Sequence, residues 1–545
     1  MSPASNHHIA GSRWRFLVPS LAEVLFVALM FWPLMTSADG WGDLLTDTNT
    51  GLHIRTGDYV LEHAAVPRTD PYSFSKPGAE WFAFEWLTCV LYSVLYRLFA
   101  FRGILVVTAV AFSVFAVVML RDALLRGGGL LASLGVTLLA FRSSSIHYHA
   151  RPHVFTLMFL VLAAWWIECD RRKPGRAIWL LVPLTAVWAN MHGGFLTLPV
   201  YLGLLAAGAL GESWWQRRPK LRRQAARYGA LSLACAAGSL VNPYGIRLHV
   251  HIARFLNAPW LTELVQEYRP PTFTTEPEYI HAILLALGAA VVVFQLRRRN
   301  LTQPLLLAFF AYASLKSARH IPIYAAVATP ILAVGLTQMA KALAPSRRAV
   351  RDVGKSLAGL EREFTPAFLR TSAWSFIVVF ALLFADLPFR WPQDFSAARF
   401  PVRMAERHAD ILTSGRLFTR DNWGDYLVWR NYPRQRVFID GRSDFYGRQI
   451  GIDYLTLRYG YPGWQALIER YGFDRMLVPP DCPLTRLPET DPSWEVVDHD
   501  SIAWLLVRRA RSGTVSRRPS YHSSASSSLR FPFPSKARFS GSPIT

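Results

Sequence analysis

Apolar residues in this chain come in long unbroken blocks, not in short alternating runs. The first block, residues 16–35 (FLVPSLAEVLFVALMFWPLM), matches the roughly 20 mostly apolar residues that a helix needs to cross a bilayer. Further blocks lie near 103–120, 129–142, 153–168, 177–191, 195–211, 228–241, 279–296, 301–317, 321–340 and 374–390. This pattern predicts a polytopic α-helical membrane protein of about 11 spans. Arg13 and Arg15 precede the first block and no small-residue cleavage site follows it, which reads as an uncleaved signal anchor. The four cysteines, at 89, 169, 235 and 482, have no spacing that marks a metal site or a disulfide framework.

The formal charge of +22 invites a nucleic-acid reading, and its distribution argues against one. The basic excess sits in short stretches between apolar blocks: DRRKPGR, the Arg-rich 212–227 stretch, RRR at 297–299 and the 341–373 stretch. Loops of this kind mark the cytoplasmic face. The loop after the first block is the opposite. Between Thr36 and Glu85 it carries eight acidic and three basic residues, a balance of about −5. One further block, 86–100, decides the parity. If it crosses, the basic loops face outward. If it lies at the interface, with Trp81, Trp86, Tyr92 and Tyr96 near the headgroups, every strongly basic loop faces inward. The second arrangement is expected, so the N-terminus is placed inside and the acidic loop outside.

Three regions follow: 1–390 as the transmembrane domain, with 36–102 as a first outer loop; 391–510 as a small extracytoplasmic α/β domain; and 511–545 as a disordered basic Ser-rich tail. The 391–510 segment balances 16 acidic against 16 basic residues. Its candidate strands are 416–420, 436–440, 475–480, 494–499 and 503–509, with helices around 425–431 and 463–471.

This threading gathers polar residues at the outer rim, where they are costly unless they line a cavity. Asp47 could act as a general base or help ligate a divalent cation, with Asn49 as a second ligand. It also reads as a turn or capping residue in DTNTG. His53 could face back toward Asp47 along a helix, on which Asp58 would be exposed at the interface. Glu85, in EWFAFEW, reads equally as a site residue or an interfacial anchor. Arg151, Arg319 and His320 sit at span ends, where an arginine fork suits a phosphate and headgroup snorkelling is the alternative. Asn190 and His192 could hydrogen-bond a substrate or close a tight Gly-Gly turn. TDPYSF (69–74) is expected to shape the loop. Glu23, inside the first block, is expected to pair with a neighbouring helix or snorkel.

Several ordered motifs stand out: Asp47-Thr-Asn-Thr-Gly-Leu-His53, Arg55-Thr-Gly-Asp58, Pro67-Arg-Thr-Asp-Pro-Tyr-Ser-Phe74, Phe84-Glu-Trp-Leu87, Arg151-Pro-His-Val-Phe155, Trp188 to Phe195, Asn242-Pro-Tyr-Gly245, Arg319-His-Ile-Pro322, Asp440-Gly-Arg-Ser-Asp444 and Tyr461-Pro-Gly-Trp464. Together they resemble the GT-C superfamily of membrane glycosyltransferases, which includes protein O-mannosyltransferases and oligosaccharyltransferases. They are most similar to an uncharacterised group of bacterial multi-span proteins. The resemblance covers about residues 16–509. It implies a multi-pass protein of the bacterial inner membrane that moves a sugar from a polyprenyl-phosphate donor to an acceptor glycan, lipid or protein at the outer leaflet, with inversion. It further implies catalysis by Asp47 and His53. Arg151, Asn190, His192, Arg319, His320 and Glu85 would bind substrate, and a Mg or Mn ion would sit on Asp47 and Asn49. Asn49 departs from the group's pattern, which has an acidic residue there, and brings no charge to a metal. A flippase for a lipid-linked glycan and a non-catalytic membrane scaffold are the alternatives. A flippase would carry charged residues through the midplane, and a scaffold would tolerate substitution of Asp47.

Overall fold

In the computed structural model, residues 16–36, 40–343, 359, 361–387 and 390–509 are described. The expected tail at 511–545 lies outside them. Helices dominate, and one four-stranded sheet sits near the C-terminus. The helices used below are α1 (Leu21–Met30), α2 (Asn49–His63), α3 (Trp86–Leu125), α4 (Leu130–Ser143), α5 (His153–Arg172), α6 (Leu181–Met191), α7 (Thr197–Trp215), α8 (Lys220–Gly238), α9 (Ile246–Leu256), α10 (Glu276–Arg297), α11 (Thr302–Lys316), α12 (Ile321–Leu343), α13 (Trp374–Phe384), α14 (Asp421–Asn431), α15 (Ser443–Tyr459) and α16 (Trp464–Tyr471).

Among the described residues, six helices are long and apolar enough to cross a membrane, or seven if the bent pair Glu361–Leu369 and Trp374–Phe384 counts as one span. This is fewer than the eleven spans expected. α1, α6, α11 and α13 are helical but short, and α8 begins with the basic run KLRRQAAR, so their composition alone does not qualify them. Leu233, Phe376 and Phe380 are largely exposed, as lipid-facing residues of a multi-pass membrane protein are.

Local chemistry fixes the helix starts. Ser20 and Glu23 form a reciprocal capping box on α1, and Glu23 also accepts hydrogen bonds from the Ser372 backbone and hydroxyl. Glu23 is therefore a capping and tethering residue. Thr275 and Glu278 cap α10 in the same way. The 86–125 helix is broken at Ala100, which has φ 51° and ψ −148°. Residues 86–99 and 101–125 thus run as two helices, and the twelfth apolar block is separate from the span that follows it.

The helix ends form two clusters, because short connections return the chain through the bundle. At one end Arg172 reaches the Leu125 carbonyl, Gln216 donates to the Arg299 carbonyl at 2.6 Å, and Arg227 pairs with Asp170 at 2.7 Å. The basic stretches at 170–176, 212–227 and 297–299 meet there. At the other end Trp86 donates to Asn190 at 2.7 Å, and the Ala150 N–H donates to the Leu44 carbonyl at 2.8 Å.

That second end carries α2 and the sheet-bearing segment. α2 packs between α3 and α14. The close approach needs Gly57, because a Cβ there would overlap the Cys89 carbonyl. The expected exposed interfacial helix is therefore a buried one. Asp58 is not solvent-facing: its carboxylate accepts from Ser93 at 2.7 Å and pairs with Arg97 at 2.8 Å. The strands are β1 (Leu417–Thr419), β2 (Arg475–Val478), β3 (Trp494–His499) and β4 (Trp504–Arg508), in the order β1-β2-β4-β3. β1 and β2 are parallel and the other pairs antiparallel. The fifth expected strand, 436–440, makes a single bridge from Val437 to Ser73. Its backbone partner is the 36–102 loop, where Val437 exchanges hydrogen bonds with Tyr72 and Phe74, while the Phe438 ring packs between Phe74 of that loop and Phe418 of β1. α15 was not foreseen.

The TDPYSF turn is built by Asp70. Its carboxylate accepts from the N–H groups of Tyr72 at 3.1 Å and Ser73 at 2.9 Å. The same carboxylate holds Arg442 at 2.8 Å, and Arg442 also pairs with Asp440 at 2.6 Å and stacks 4.4 Å over Trp81. The described residues up to Arg508 form one compact unit.

Candidate functional site

A cavity of about 280 Å³ lies at the second end of the bundle. Its walls come from loops that are far apart in sequence: the start of α3, the α4–α5 and α6–α7 connections, α9 and the segment after it, the α11–α12 turn, and Gly441–Asp444. One side is apolar, with Leu157, Leu196, Ile252, Phe255 and Ile323. The polar side holds Glu85, Arg151, Glu267, Arg319 and Asp444, and six histidines: 53, 147, 153, 192, 251 and 320. Two further histidines near this end point elsewhere. His149 bonds Thr46 at 2.7 Å and His249 bonds Ser239 at 2.8 Å.

Charges alternate along the polar wall. Arg319 is 3.1 Å from Glu267 and 2.8 Å from the Tyr268 hydroxyl. Arg151 is 3.9 Å from the other Glu267 oxygen and 3.0 Å from Asp47. Burial raises the Glu267 pKa, but Arg319 and Arg151 outweigh it and hold the carboxylate down at about 2. Glu267 is thus a permanent anion bridging two guanidinium groups.

Glu85 is in the opposite electrostatic state. Burial, partly offset by Arg151 and Arg319, pushes its pKa up to about 7. Its two oxygens lie 3.7 Å from His53 Nε2 and 3.7 Å from His192 Nε2. Burial, then Arg151, holds the His53 pKa down at about 3, so the ring is neutral at physiological pH. Burial, then Arg319, depresses His192 as well. The Gly194 N–H donates to His192 Nδ1 at 3.0 Å, and Thr156, which accepts from Trp188 at 2.8 Å, bonds the same Nδ1 at 2.7 Å. His192 Nε2 lies between a Glu85 oxygen at 3.7 Å and Arg319 Nη2 at 3.5 Å. His53 Nδ1 lies 3.3 Å from the Cys89 thiol, while His53 Nε2 is buried without a hydrogen-bond partner. His147 Nε2, His320 Nδ1 and Arg442 Nη1 are also buried and unpartnered.

The residues foreseen from the sequence converge unevenly. His53, Glu85, Arg151, His192, Arg319, His320 and Asn49 line the cavity. Asp47 sits behind Arg151, with one oxygen on that arginine and the other accepting the Asn49 N–H at 2.9 Å. His53 faces Glu85 and Cys89. Asn190 does not line the cavity. Its amide nitrogen donates to the Ala186 and Val241 carbonyls at 2.7 and 2.8 Å, and its oxygen accepts from Trp86. Among the described residues, no group of three His, Cys, Asp or Glu side chains could hold a metal ion.

Glu267, Asp444 and Arg442 were not foreseen as cavity residues. Asp444 pairs with His251 at 3.0 Å. The one signal in the sequence was the DGRSD motif, and Glu267 had none.

No family model matches the chain, and no curated protein sequence matches it either. Among solved structures it is similar to the oligosaccharyltransferase of Archaeoglobus fulgidus. The apo form superposes with a TM-score of 0.49 at 11% identity, covering 86% of this chain and 70% of that one. The form tethered through a disulfide bond to an acceptor peptide containing the NVT sequon gives 0.48 at 11% identity, covering 84% and 68%.

Proposed function

We propose that this protein is a membrane glycosyltransferase that takes a sugar from a polyprenyl-phosphate donor, in the cavity at the non-basic end of the bundle. The observation that carries the reading is the pairing of Arg151 and Arg319 across Glu267, beside an apolar wall of Leu157, Ile252, Phe255 and Ile323. Two partly buried guanidinium groups sharing one carboxylate suit a phosphate, which each can grip with two N–H donors. The apolar wall suits the first isoprene units. The motif resemblance to GT-C enzymes supports the same class.

In this reading the arginines hold the leaving phosphate. Asp47 fixes the Arg151 guanidinium from behind. His147 and His320 offer buried ring nitrogens to the phosphate or the sugar. Glycosyl transfer with inversion needs one group to take the acceptor's proton and no covalent enzyme intermediate. No step is assigned to a metal. The clustering of basic loops at the other end supports a cytoplasmic placement for that end and an outer-leaflet site in a bacterial inner membrane.

The test is sugar transfer from polyprenyl-phosphate donors by protein reconstituted in liposomes. Wild type transfers sugar, and Arg319→Lys, which keeps the charge and loses the fork, raises the donor KM more than it lowers expression. Failure of wild type with every lipid-phosphate sugar refutes the reading. Cysteine introduced at Gln216 reacts with impermeant maleimide only from the cytoplasmic side. Labelling from outside intact cells refutes the sidedness.

A further inference from the structure

The proton in such a transfer must go to a group that faces the cavity, and Asp47 does not line it. We propose that Glu85 is the catalytic carboxylate, taking the acceptor's hydroxyl proton with His53 as the second member of the pair. This rests on the glycosyl-transfer reading above.

Three geometric observations carry it. Glu85 is on the cavity wall, in the turn that starts α3, with the phosphate-facing arginines and Asp444 as neighbours. Its carboxyl group lies between two imidazoles, with His53 Nε2 and His192 Nε2 each 3.7 Å from one of its oxygens. His53 Nε2 is buried with no hydrogen-bond partner, and a Glu85 oxygen lies 3.7 Å from it. A bare carboxylate anchoring an interfacial loop would need none of this. By contrast, both oxygens of Asp47 are engaged, with Arg151 and with the Asn49 N–H.

The step balances as follows. The acceptor oxygen forms a bond to the anomeric carbon while the bond from that carbon to the phosphate oxygen breaks. The bonding pair leaves with the phosphate, whose new charge Arg151 and Arg319 meet. The acceptor's proton passes to the ionised Glu85. From there it is released to water, while the neutral His53 ring beside Glu85 stays unprotonated.

The groups facing Glu85 all bear on its titration. His53 comes from α2, and Cys89 and Tyr92 from its own helix. Arg151 and His192 come from the α4–α5 and α6–α7 connections, Glu267 from the segment after α9, Arg319 from the α11–α12 turn and Asp444 from α15. Burial leads, and the net result is a carboxyl that exchanges its proton near neutrality.

The experiment pairs kinetics with spectroscopy on the full-length protein in nanodiscs. The expected result is that Glu85→Gln lowers kcat by about 10²-fold or more while donor KM and direct binding of the polyprenyl-phosphate sugar stay within a few-fold. It also removes the acidic limb of the pH–rate profile, in which wild-type activity rises as pH passes through about 7. Asp47→Asn keeps that limb. In infrared difference spectra recorded in an Asp425→Asn background, which removes the other buried protonated carboxyl, a protonated-carboxyl band titrates near neutrality with Glu85 intact and with Asp47→Asn, and is absent with Glu85→Gln. The proposal is overturned if Glu85→Gln turns over at the wild-type rate, if it raises KM with kcat unchanged, or if the band survives in it. If wild type transfers no sugar while the band behaves as expected, the glycosyl reading fails and the proton-exchanging Glu85 stands.

Discussion

Glu267→Gln separates the structural work of the site's central carboxylate from the binding work of its arginines. At 3.1 Å from Arg319 and 3.9 Å from Arg151, the Glu267 charge attracts them by about 5 and about 4 kcal/mol at an effective dielectric of about 20, before burial is counted. Burial takes back most of this. The net is the fall of the Glu267 pKa from 4.5 to about 2, which corresponds to about 3 kcal/mol in favour of the charged form. The sign follows: a depressed carboxylate stabilises the fold above pH 4.5, and that contribution is lost as pH falls through about 2. Glu267→Gln keeps the volume and one acceptor oxygen but leaves two partly buried guanidinium groups with less negative charge. The ligand-free protein should lose about 3 kcal/mol, within the range seen when one member of a buried pair is removed. The freed arginines should bind a phosphate at least tenfold more tightly, about 1.4 kcal/mol. The assays are denaturant unfolding in mixed micelles at pH 7, and calorimetric binding of polyprenyl phosphate. Unchanged stability, or weaker phosphate binding, would refute the reasoning.

Gly57→Ala should destabilise by about 1–3 kcal/mol or more, because the added methyl overlaps a backbone carbonyl of α3 that has no room to shift; a wild-type melting profile in detergent would contradict that packing. Ala100→Gly should stabilise by about 1 kcal/mol, since a left-handed φ of 51° strains alanine and not glycine; a lower melting temperature would show that Ala100 is not held in that conformation. Burial, then Asp440 and Asp47, pushes the Asp425 pKa well above the ordinary 3.8. Folding therefore favours its protonated form, and stability is lost as pH rises from 3.8 through the raised value. Asp425→Asn should flatten that loss, and an unchanged pH–stability curve would refute it.

What the sequence made legible was whatever is local. Apolar blocks marked the helices, and charge alternation between loops marked the two ends. The capping pairs at Ser20 and Thr275 and the turn at Asp70 need only a few neighbouring residues. The cavity is a different matter, because its walls meet across long stretches of chain. His53, Arg151, His192 and Arg319 were foreseen since each sits in a conspicuous motif. Glu267 was not, because a lone glutamate in a long loop looks like any solvated one until two arginines are placed beside it. Asn190 shows the reverse error. It lies in a conspicuous motif, yet its amide closes the α6 end against Trp86 and Val241. The strand at 436–440 had the right pattern for a sheet but pairs with the first outer loop, and no local pattern distinguishes those two burials.

The link between the first outer loop and the C-terminal segment explains why the two behave as one unit. Asp70 and Asp440 both hold Arg442, and the ring of Trp81 lies under the same guanidinium. Arg442, Ser443 and Asp444 then line the cavity opposite the bundle, and Asp444 reaches His251 on α9. A buried arginine shared by two carboxylates is strongly destabilising to break from either side. The loop carrying Glu85 and the wall facing it are therefore held at a fixed separation by the same buried charges. In the proposed reaction that separation matters. The acceptor enters between the wall and Glu85, and its hydroxyl meets the carboxyl at a distance set by Arg442, not by the flexibility of a surface loop.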